Sequence, residues 1–156
     1  NRQSVLLLDQ TQIVFFMQKG SVFMIQAYSQ NLAVTQGAAI PFNSTKLKTG
    51  CVVTQAQDKA TFYLNRPGIY LVQFDGYGSS TEAGSVGVQM AVDGVNSPVG
   101  TVQATTAAGS LQPISFYTLV GVEAVCRCTG GTKLTVNYTG TAGTLSLANI
   151  IITKLR

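Results

Sequence analysis

Residues 60–74 constrain the fold more than any other part of the chain. They hold two runs of aromatic and β-branched residues on either side of the corner Asn65-Arg66-Pro67-Gly68. Pro67 sets φ near about −65° and Gly68 supplies the positive φ of a type II turn, so the chain reverses there. Successive side chains of a strand face opposite sides, and the second run is apolar on both: Tyr70, Val72 and Phe74 on one, Ile69 and Leu71 on the other. We expect one side to pack on a second sheet of the same subunit and the other on a neighbouring subunit.

Similar strand-sized runs follow along the rest of the chain. They recur about every 10–15 residues and are closed by Gly, Pro, Asn or Asp, which is typical of an all-β sandwich or barrel. Asp93-Gly94 between two valines predicts a two-residue hairpin turn. Ten short strands predict a jelly roll of two packed sheets. The predicted strands are 23–28, 38–42, 50–55, 61–64, 68–77, 86–92, 101–104, 114–125, 133–138 and 145–154.

The spacing of four residues around this corner also resembles a family signature. Phe62, Gly68, Tyr70 and Phe74 fall at the positions of the C-terminal half of the signature of the complement C1q and tumour necrosis factor (TNF) superfamily, with Val72 where that family has a further Phe. The resemblance implies a jelly-roll head in which the inner sheets of three subunits pack around a threefold axis. The expected fold class is therefore an all-β, two-sheet jelly-roll sandwich of the TNF/C1q type that assembles as a trimer.

Three predicted strands are apolar on both faces, which suits an inner sheet that serves a core and an interface together. They are 69–74, 114–120 and 145–152. The resemblance implies that apolar residues of this sheet lie at or near the threefold axis. The alternative is that the same residues only fill the core of one sandwich. The candidate interface residues are Tyr70, Phe74, Phe116, Tyr117, Ile150 and Ile152.

The composition favours assembly, which the resemblance implies is a homotrimer, and it argues against two classes of partner. Charged residues make up 10% of the chain and hydrophobic ones 46%, and apolar surface without compensating charge usually ends inside an oligomer. No apolar run reaches the ~18 residues of a membrane helix, so we expect no membrane insertion. The net charge is +4, but the basic residues are scattered rather than clustered as a nucleic-acid groove requires. We expect no nucleic-acid partner.

Residues that carry chemistry are scarce. There is no histidine, which removes the usual nucleophilic triads and a His-rich metal site, and the six acidic residues form no acid/base pair by spacing. We therefore predict no catalytic, metal or cofactor site, while a calcium site near Asp75 or Asp93 stays open. The three cysteines are expected to be small buried apolar side chains. One disulfide from Cys51 to Cys126 or Cys128 is the alternative.

The segment 1–22 differs from the predicted jelly-roll domain, 23–156. It holds two apolar runs separated by Asp-Gln-Thr-Gln, and it lacks the Gly-X-Y period of a collagen stalk. We expect it to anchor the head by pairing with itself, with neighbouring subunits or with a larger body, although two further core strands are an equal alternative. The expected anchoring residues are Leu6, Leu8, Val14 and Phe16.

Two hypotheses for the function share this fold. The first is a non-enzymatic structural or adhesive trimeric head of a bacteriophage virion (a head fibre, capsid decoration or tail-fibre tip). It would contact other virion proteins through segment 1–22 and a host cell-surface ligand through its loops. The low charge and the apolar N-terminal segment favour this hypothesis. The second is a secreted or cell-surface recognition head that binds a protein receptor.

Overall fold

The protein is described by a computed structural model that covers residues 22–123 and 131–156. Within these ranges all the regular secondary structure is β-strand. The strands are β1 Met24–Val34, β2 Ser44–Thr49, β3 Val53–Gln55, β4 Thr61–Leu64, β5 Gly68–Ser80, β6 Gly84–Val92, β7 Val95–Thr106, β8 Gln112–Val122, β9 Thr132–Tyr138 and β10 Gly143–Lys154. None of this described structure is a helix with the length and hydropathy needed to cross a bilayer.

The strands form two five-stranded sheets. The first sheet has the order β2-β1-β10-β5-β8 and the second the order β3-β4-β9-β6-β7. Every pairing between neighbours is antiparallel. Strands distant in sequence are neighbours in both sheets, as in a jelly roll rather than in a simple meander. The predicted all-β sandwich of two packed sheets is confirmed.

The core lies between the two sheets and is built from every second residue of the central strands. A chain of aromatic rings runs through it. The ring centroids of Phe62 and Phe42 are 5.7 Å apart, those of Phe42 and Phe74 are 6.4 Å apart, and those of Phe74 and Phe116 are 5.7 Å apart. Because each fully buried side chain of this size contributes about 1.5–3 kcal/mol, this ring chain is a large part of what holds the sheets together.

One predicted strand was wrong and one real strand was missed. Residues 38–42 are not a strand: Ala39 makes a single bridge to Asn137, and Ile40 and Phe42 are buried on irregular backbone. That backbone is still bonded, because the Ile40 N–H donates to the Val136 carbonyl at 2.8 Å. The missed strand is β2, whose sequence Ser-Thr-Lys-Leu-Lys-Thr is almost fully exposed. An edge strand with no buried face has no apolar alternation to reveal it.

Of the two predicted turns, the hairpin turn at Asp93-Gly94 forms, whereas the corner at Pro67-Gly68 is a bend into β5 and not a type II turn. At the corner, Gly68 has φ of +145°, which is positive but larger than the roughly +80° of a type II turn. Glycine is also needed there for space, because a Cβ would collide with the backbone carbonyl of Arg156. That carbonyl accepts a hydrogen bond from the Ile69 N–H at 3.1 Å. At the hairpin, Asp93 and Gly94 have φ of 50° and 81°, the signs that a type I′ turn requires.

Candidate functional site

Within residues 22–123 and 131–156, no element packs on the outer face of the first sheet, and we call this surface the open face. Its side chains come from alternate positions of β1, β10, β5 and β8, and the strand register arranges them in four rows. All of these side chains are half-buried or exposed. In the order β1, β10, β5, β8 the rows are Met24, Thr153, Leu71 and Leu119; Gln26, Ile151, Gln73 and Tyr117; Tyr28, Asn149, Asp75 and Ser115; and Gln30, Leu147, Tyr77 and Pro113.

The part of the open face formed by β5 and β8 carries several exposed apolar side chains. Tyr117 is 78% exposed and Leu119 is 59% exposed, both on the edge strand β8. Ile69 and Tyr77 of β5 are also exposed, and Leu71 lies half-buried beside them. No charged residue occurs in β8. Exposed apolar side chains on and beside an edge strand mark an interaction surface or an aggregation hazard.

The other half of the open face holds a shallow depression, lined by Gln26, Tyr28, Gln30, Lys46, Asp75, Leu147 and Asn149. The Gln26 Nε2 donates to the Asn149 Oδ1 at 3.0 Å, which fixes both amides on the floor. Lys46 of β2 and Asp75 of β5 stand at opposite ends, because β1 and β10 lie between their strands. Three strand spacings separate them by about 14 Å. The depression thus offers a tyrosine ring, amides and one charge of each sign.

The structure places the six candidate interface residues unequally. Tyr70, Phe74, Ile150 and Ile152 are fully enclosed by their own chain, and Phe116 is only 9% exposed and stacks on Phe74. These five residues fill the core of one sandwich, so they are corrected here from interface to core residues. Tyr117 alone lies on the open face.

The correction has a simple physical origin. A strand alternates its side chains with a period of two, and the sequence does not say which set faces the second sheet when both sets are apolar. The residues that were missed belong to the second set, for example Leu71 in β5, Leu119 in β8 and Ile151 in β10. The signal for them was present, since the same strands were predicted to be apolar on both faces.

The anchoring residues and the cysteines come next. Leu6, Leu8, Val14 and Phe16, together with Cys126 and Cys128, lie outside the described residues. Cys51 is exposed with a free thiol, in the bend between β2 and β3, so the expectation that it is buried was wrong. Val52 turns inward from that bend in its place, at 3% exposure.

The two aspartates considered for calcium lie apart from each other. Asp75 is exposed on the open face. Asp93 lies in the β6–β7 turn, where its Oδ1 accepts a hydrogen bond from the Lys133 N–H at 2.9 Å. Among the described side chains, no three His, Cys, Asp or Glu residues are grouped closely enough to hold a metal ion.

Comparison with known proteins shows a likeness in structure rather than in sequence. No protein-family model matches the chain, and no curated protein matches it. The globular domain of zebrafish complement 1qA protein superposes with a TM-score of 0.56 at 10% identity, covering 86% of this chain and 96% of that one. Murine APRIL at pH 5.0 gives 0.59 at 13% identity, with coverage of 86% and 98%.

The Eiger TNF from S. frugiperda is similar to the same extent, with a TM-score of 0.55 at 14% identity and coverage of 86% and 94%. All three likenesses span both sheets of the sandwich, since each covers most of both chains. Identities this low establish the fold and not the activity. The chain has the C1q/TNF-like jelly-roll fold.

Proposed function

We propose that this chain is a non-enzymatic recognition head that assembles as a homotrimer through its open face. The observation that carries the proposal is the exposure of Tyr117 and Leu119 on an edge strand that has no charged residue. Removing such side chains from water contributes about 25 cal/mol for each Å² of apolar surface. A subunit that stayed alone would leave this surface wet.

The trimeric state is supported by the fold and by the arrangement of the open face. Its two parts differ: the β8 edge carries exposed apolar side chains, and the other part is a depression with polar lining. Two unlike patches on one face suit a heterologous contact, in which one patch of a subunit meets the other patch of the next, and such contacts close into rings. The resemblance to C1q and TNF heads implies a ring of three.

The recognition role rests on presenting several copies of one weak contact surface. Three linked sites bind a multivalent target far more tightly than one site does, without any new contact. Val95 and Val99 of β7 are 71% and 68% exposed, and they follow the β6–β7 turn on the second sheet. We propose that this hairpin contributes to the contact with a protein receptor or a cell-surface ligand.

The location of the head has two candidates. A bacteriophage virion protein, bound to other virion proteins through segment 1–22, is favoured by the low charge and by the apolar runs of that segment. A secreted or cell-surface head is favoured by the structural likeness to complement 1qA protein, APRIL and Eiger TNF. Immunogold electron microscopy with an antibody to the head tests the two, because label on phage particles supports the first and label on cells or secreted material the second.

Light scattering of the purified chain, coupled to size-exclusion chromatography, tests assembly. We expect a mass three times that of the 16.4 kDa subunit, with dissociation only on dilution. The matched variant is Leu119→Ser, which removes an exposed apolar side chain from the open face. It should shift the mass toward the monomer, while Val99→Ser on the second sheet should remain trimeric. A stable wild-type monomer at micromolar concentration would refute the proposal.

A further inference from the structure

A protruding ring and a depression lie on opposite halves of the open face. Tyr117 is 78% exposed, more than any other large apolar side chain of the described residues. It stands on β8, the edge strand, where only Gln73 of β5 flanks it across the sheet. A ring this exposed has little to pack against within its own subunit.

The depression has the chemistry that would receive such a ring. Tyr28 and Leu147 give it apolar walls, and Asn149 and Asp75 give it hydrogen-bonding groups. A tyrosine joins an apolar body to a polar tip, so it is best buried where both kinds of neighbour are present. The Asp75 carboxylate is exposed, and once covered it would need a donor, because an unpaired buried charge is costly. The Tyr117 hydroxyl is such a donor.

Within one subunit the ring cannot lie between Tyr28 and Leu147, although Asp75 at the near end of the depression is on the neighbouring strand β5. Strands β5 and β10 lie between β8, which carries Tyr117, and β1, which carries Tyr28. Three strand spacings make that separation about 14 Å along the surface of the sheet. A tyrosine side chain is much shorter than this, so only a second copy of the chain can place Tyr117 there.

We infer that Tyr117 of one subunit inserts into the depression of the next, between Tyr28 and Leu147, with its hydroxyl donating to Asp75. This contact rests on the proposed trimer and specifies how its subunits pair. Each subunit then gives one ring and receives one, which is the arrangement of a closed heterologous ring. Strand β8 has no charged residue that would lose its contact with water on burial. The β8 edge can therefore pack against the depression without leaving a buried charge unpaired on its own side.

Two variants test the two sides of the contact separately, one at the inserted ring and one at the depression. Tyr117→Ser removes the ring and leaves the depression intact. Asn149→Arg leaves the ring intact and fills the depression, because position 149 faces outward between the buried Ala148 and Ile150 and the new side chain can lie toward Asp75. Each variant alone should weaken assembly by at least about 30-fold, as expected for a central aromatic contact. Val99→Ser is the control with similar exposure on the other sheet.

Mixing the two variants gives the sharpest test. The intact ring of Asn149→Arg fits the intact depression of Tyr117→Ser, so light scattering should detect a one-to-one heterodimer that neither variant forms alone. Circular dichroism checks that each variant retains its β-sheet. An unchanged trimer of Tyr117→Ser, or a mixture without the heterodimer, would overturn this contact while leaving the trimer standing. A wild-type monomer would overturn the trimer as well.

A fluorescence measurement gives an independent readout. The chain contains no tryptophan, so Tyr117→Trp introduces a single reporter at the proposed contact. We expect its emission to shift to the blue as the protein concentration rises through assembly, since the ring leaves water. The shift should be absent when Asn149→Arg is also present. Emission that does not change on trimer formation counts against the insertion of residue 117.

Discussion

Phe116 and Tyr117 are adjacent in the chain, yet they lie on opposite faces of the first sheet. Phe116 stacks on Phe74 inside the sandwich, with an interplanar angle of 13° and 9% exposure. Tyr117 is 78% exposed on the open face. The same strand therefore serves two surfaces, one that holds the subunit together and one available to a neighbour.

This difference in burial predicts a large loss of stability from substituting Phe116 and almost none from substituting Tyr117. Phe116→Ala removes a ring from the core and should lower the free energy of unfolding by about 3 kcal/mol. Tyr117→Ala removes an exposed ring and should change the stability of the isolated subunit by less than about 0.5 kcal/mol. Urea unfolding at dilutions where the subunit is monomeric measures both. Equal losses from the two variants would contradict the assignment of faces.

The sequence was sufficient to predict the fold class, but not to predict which of the two alternating sets of side chains in each strand faces the core. Alternating apolar residues and the Asp93-Gly94 turn predicted an antiparallel sandwich, because apolar residues that recur at every second position indicate β-strands rather than helices. They did not separate the set containing Phe74 from the set containing Leu71, because both are apolar in β5. Which set is inside is decided by packing against the second sheet, and that information is not local.

The candidate site was predicted only in part, for the same reason. Tyr117 was predicted as an interface residue, but the depression of the neighbouring subunit into which we propose that it inserts was not. Its lining comes from four strands, β1, β2, β5 and β10, and the lysine comes from the missed strand β2. Polar residues such as Gln26 and Asn149 carry no motif, and only the strand register brings them together.

Gly68 should be intolerant of any side chain. Its φ of +145° is a conformation that L-residues rarely adopt, and a Cβ would meet the carbonyl of Arg156. Gly68→Ala should therefore lower the free energy of unfolding by about 2 kcal/mol. The control is Gly121→Ala, because Gly121 has no atom within 4 Å of the added carbon, and it should stay within about 0.5 kcal/mol of wild type. Similar curves for both variants in urea would show that the corner relaxes freely.

Asp58 should make the β3–β4 turn sensitive to acid. Its carboxylate accepts hydrogen bonds from the backbone N–H groups of Thr61 at 3.0 Å and Ala60 at 2.9 Å, and from the Thr61 hydroxyl at 3.0 Å. These bonds, the Thr61 N–H foremost, lower the pKa of Asp58, and desolvation by burial, the second-largest cause, opposes them in part. Because the folded pKa lies below the unfolded value of about 3.9, the stabilisation is present above that value and is lost as pH falls through the folded pKa.

The measurement compares Asp58→Ala with wild type in urea at neutral and strongly acid pH. At neutral pH the substitution should cost about 1 kcal/mol, a modest value because the turn is exposed to solvent. Below the folded pKa the difference should shrink, since the wild-type carboxyl is then protonated. Asp58→Asn keeps one acceptor oxygen and should show a loss that is smaller and independent of pH. If the loss of stability from Asp58→Ala stayed constant down to strongly acid pH, the contribution of Asp58 would not depend on the charge of its carboxylate.

Two buried tyrosines should limit stability at high pH. Tyr70 and Tyr138 are fully enclosed, and their hydroxyls donate to the carbonyls of Arg66 and Thr141, each at 2.6 Å. Burial raises the pKa of both, although the Arg66 N–H and charge partly oppose this at Tyr70. The stabilisation is complete below the unfolded tyrosine pKa of about 10 and is lost as pH rises toward the folded pKa, because the unfolded chain ionises first.

Tyr138→Phe is the cleaner test, because its hydroxyl has no charged neighbour contributing to the shift. At neutral pH it should cost about 1 kcal/mol for the lost hydrogen bond. Above pH 10 its decline with pH should be shallower than that of wild type by up to about 1.4 kcal/mol per pH unit, the contribution of one proton. Tyr117→Phe, which removes an exposed hydroxyl, is the matched control for the loss of one tyrosine hydroxyl. If the Tyr138→Phe and wild-type slopes coincided, ionisation of Tyr138 would not be a cause of the alkaline loss of stability.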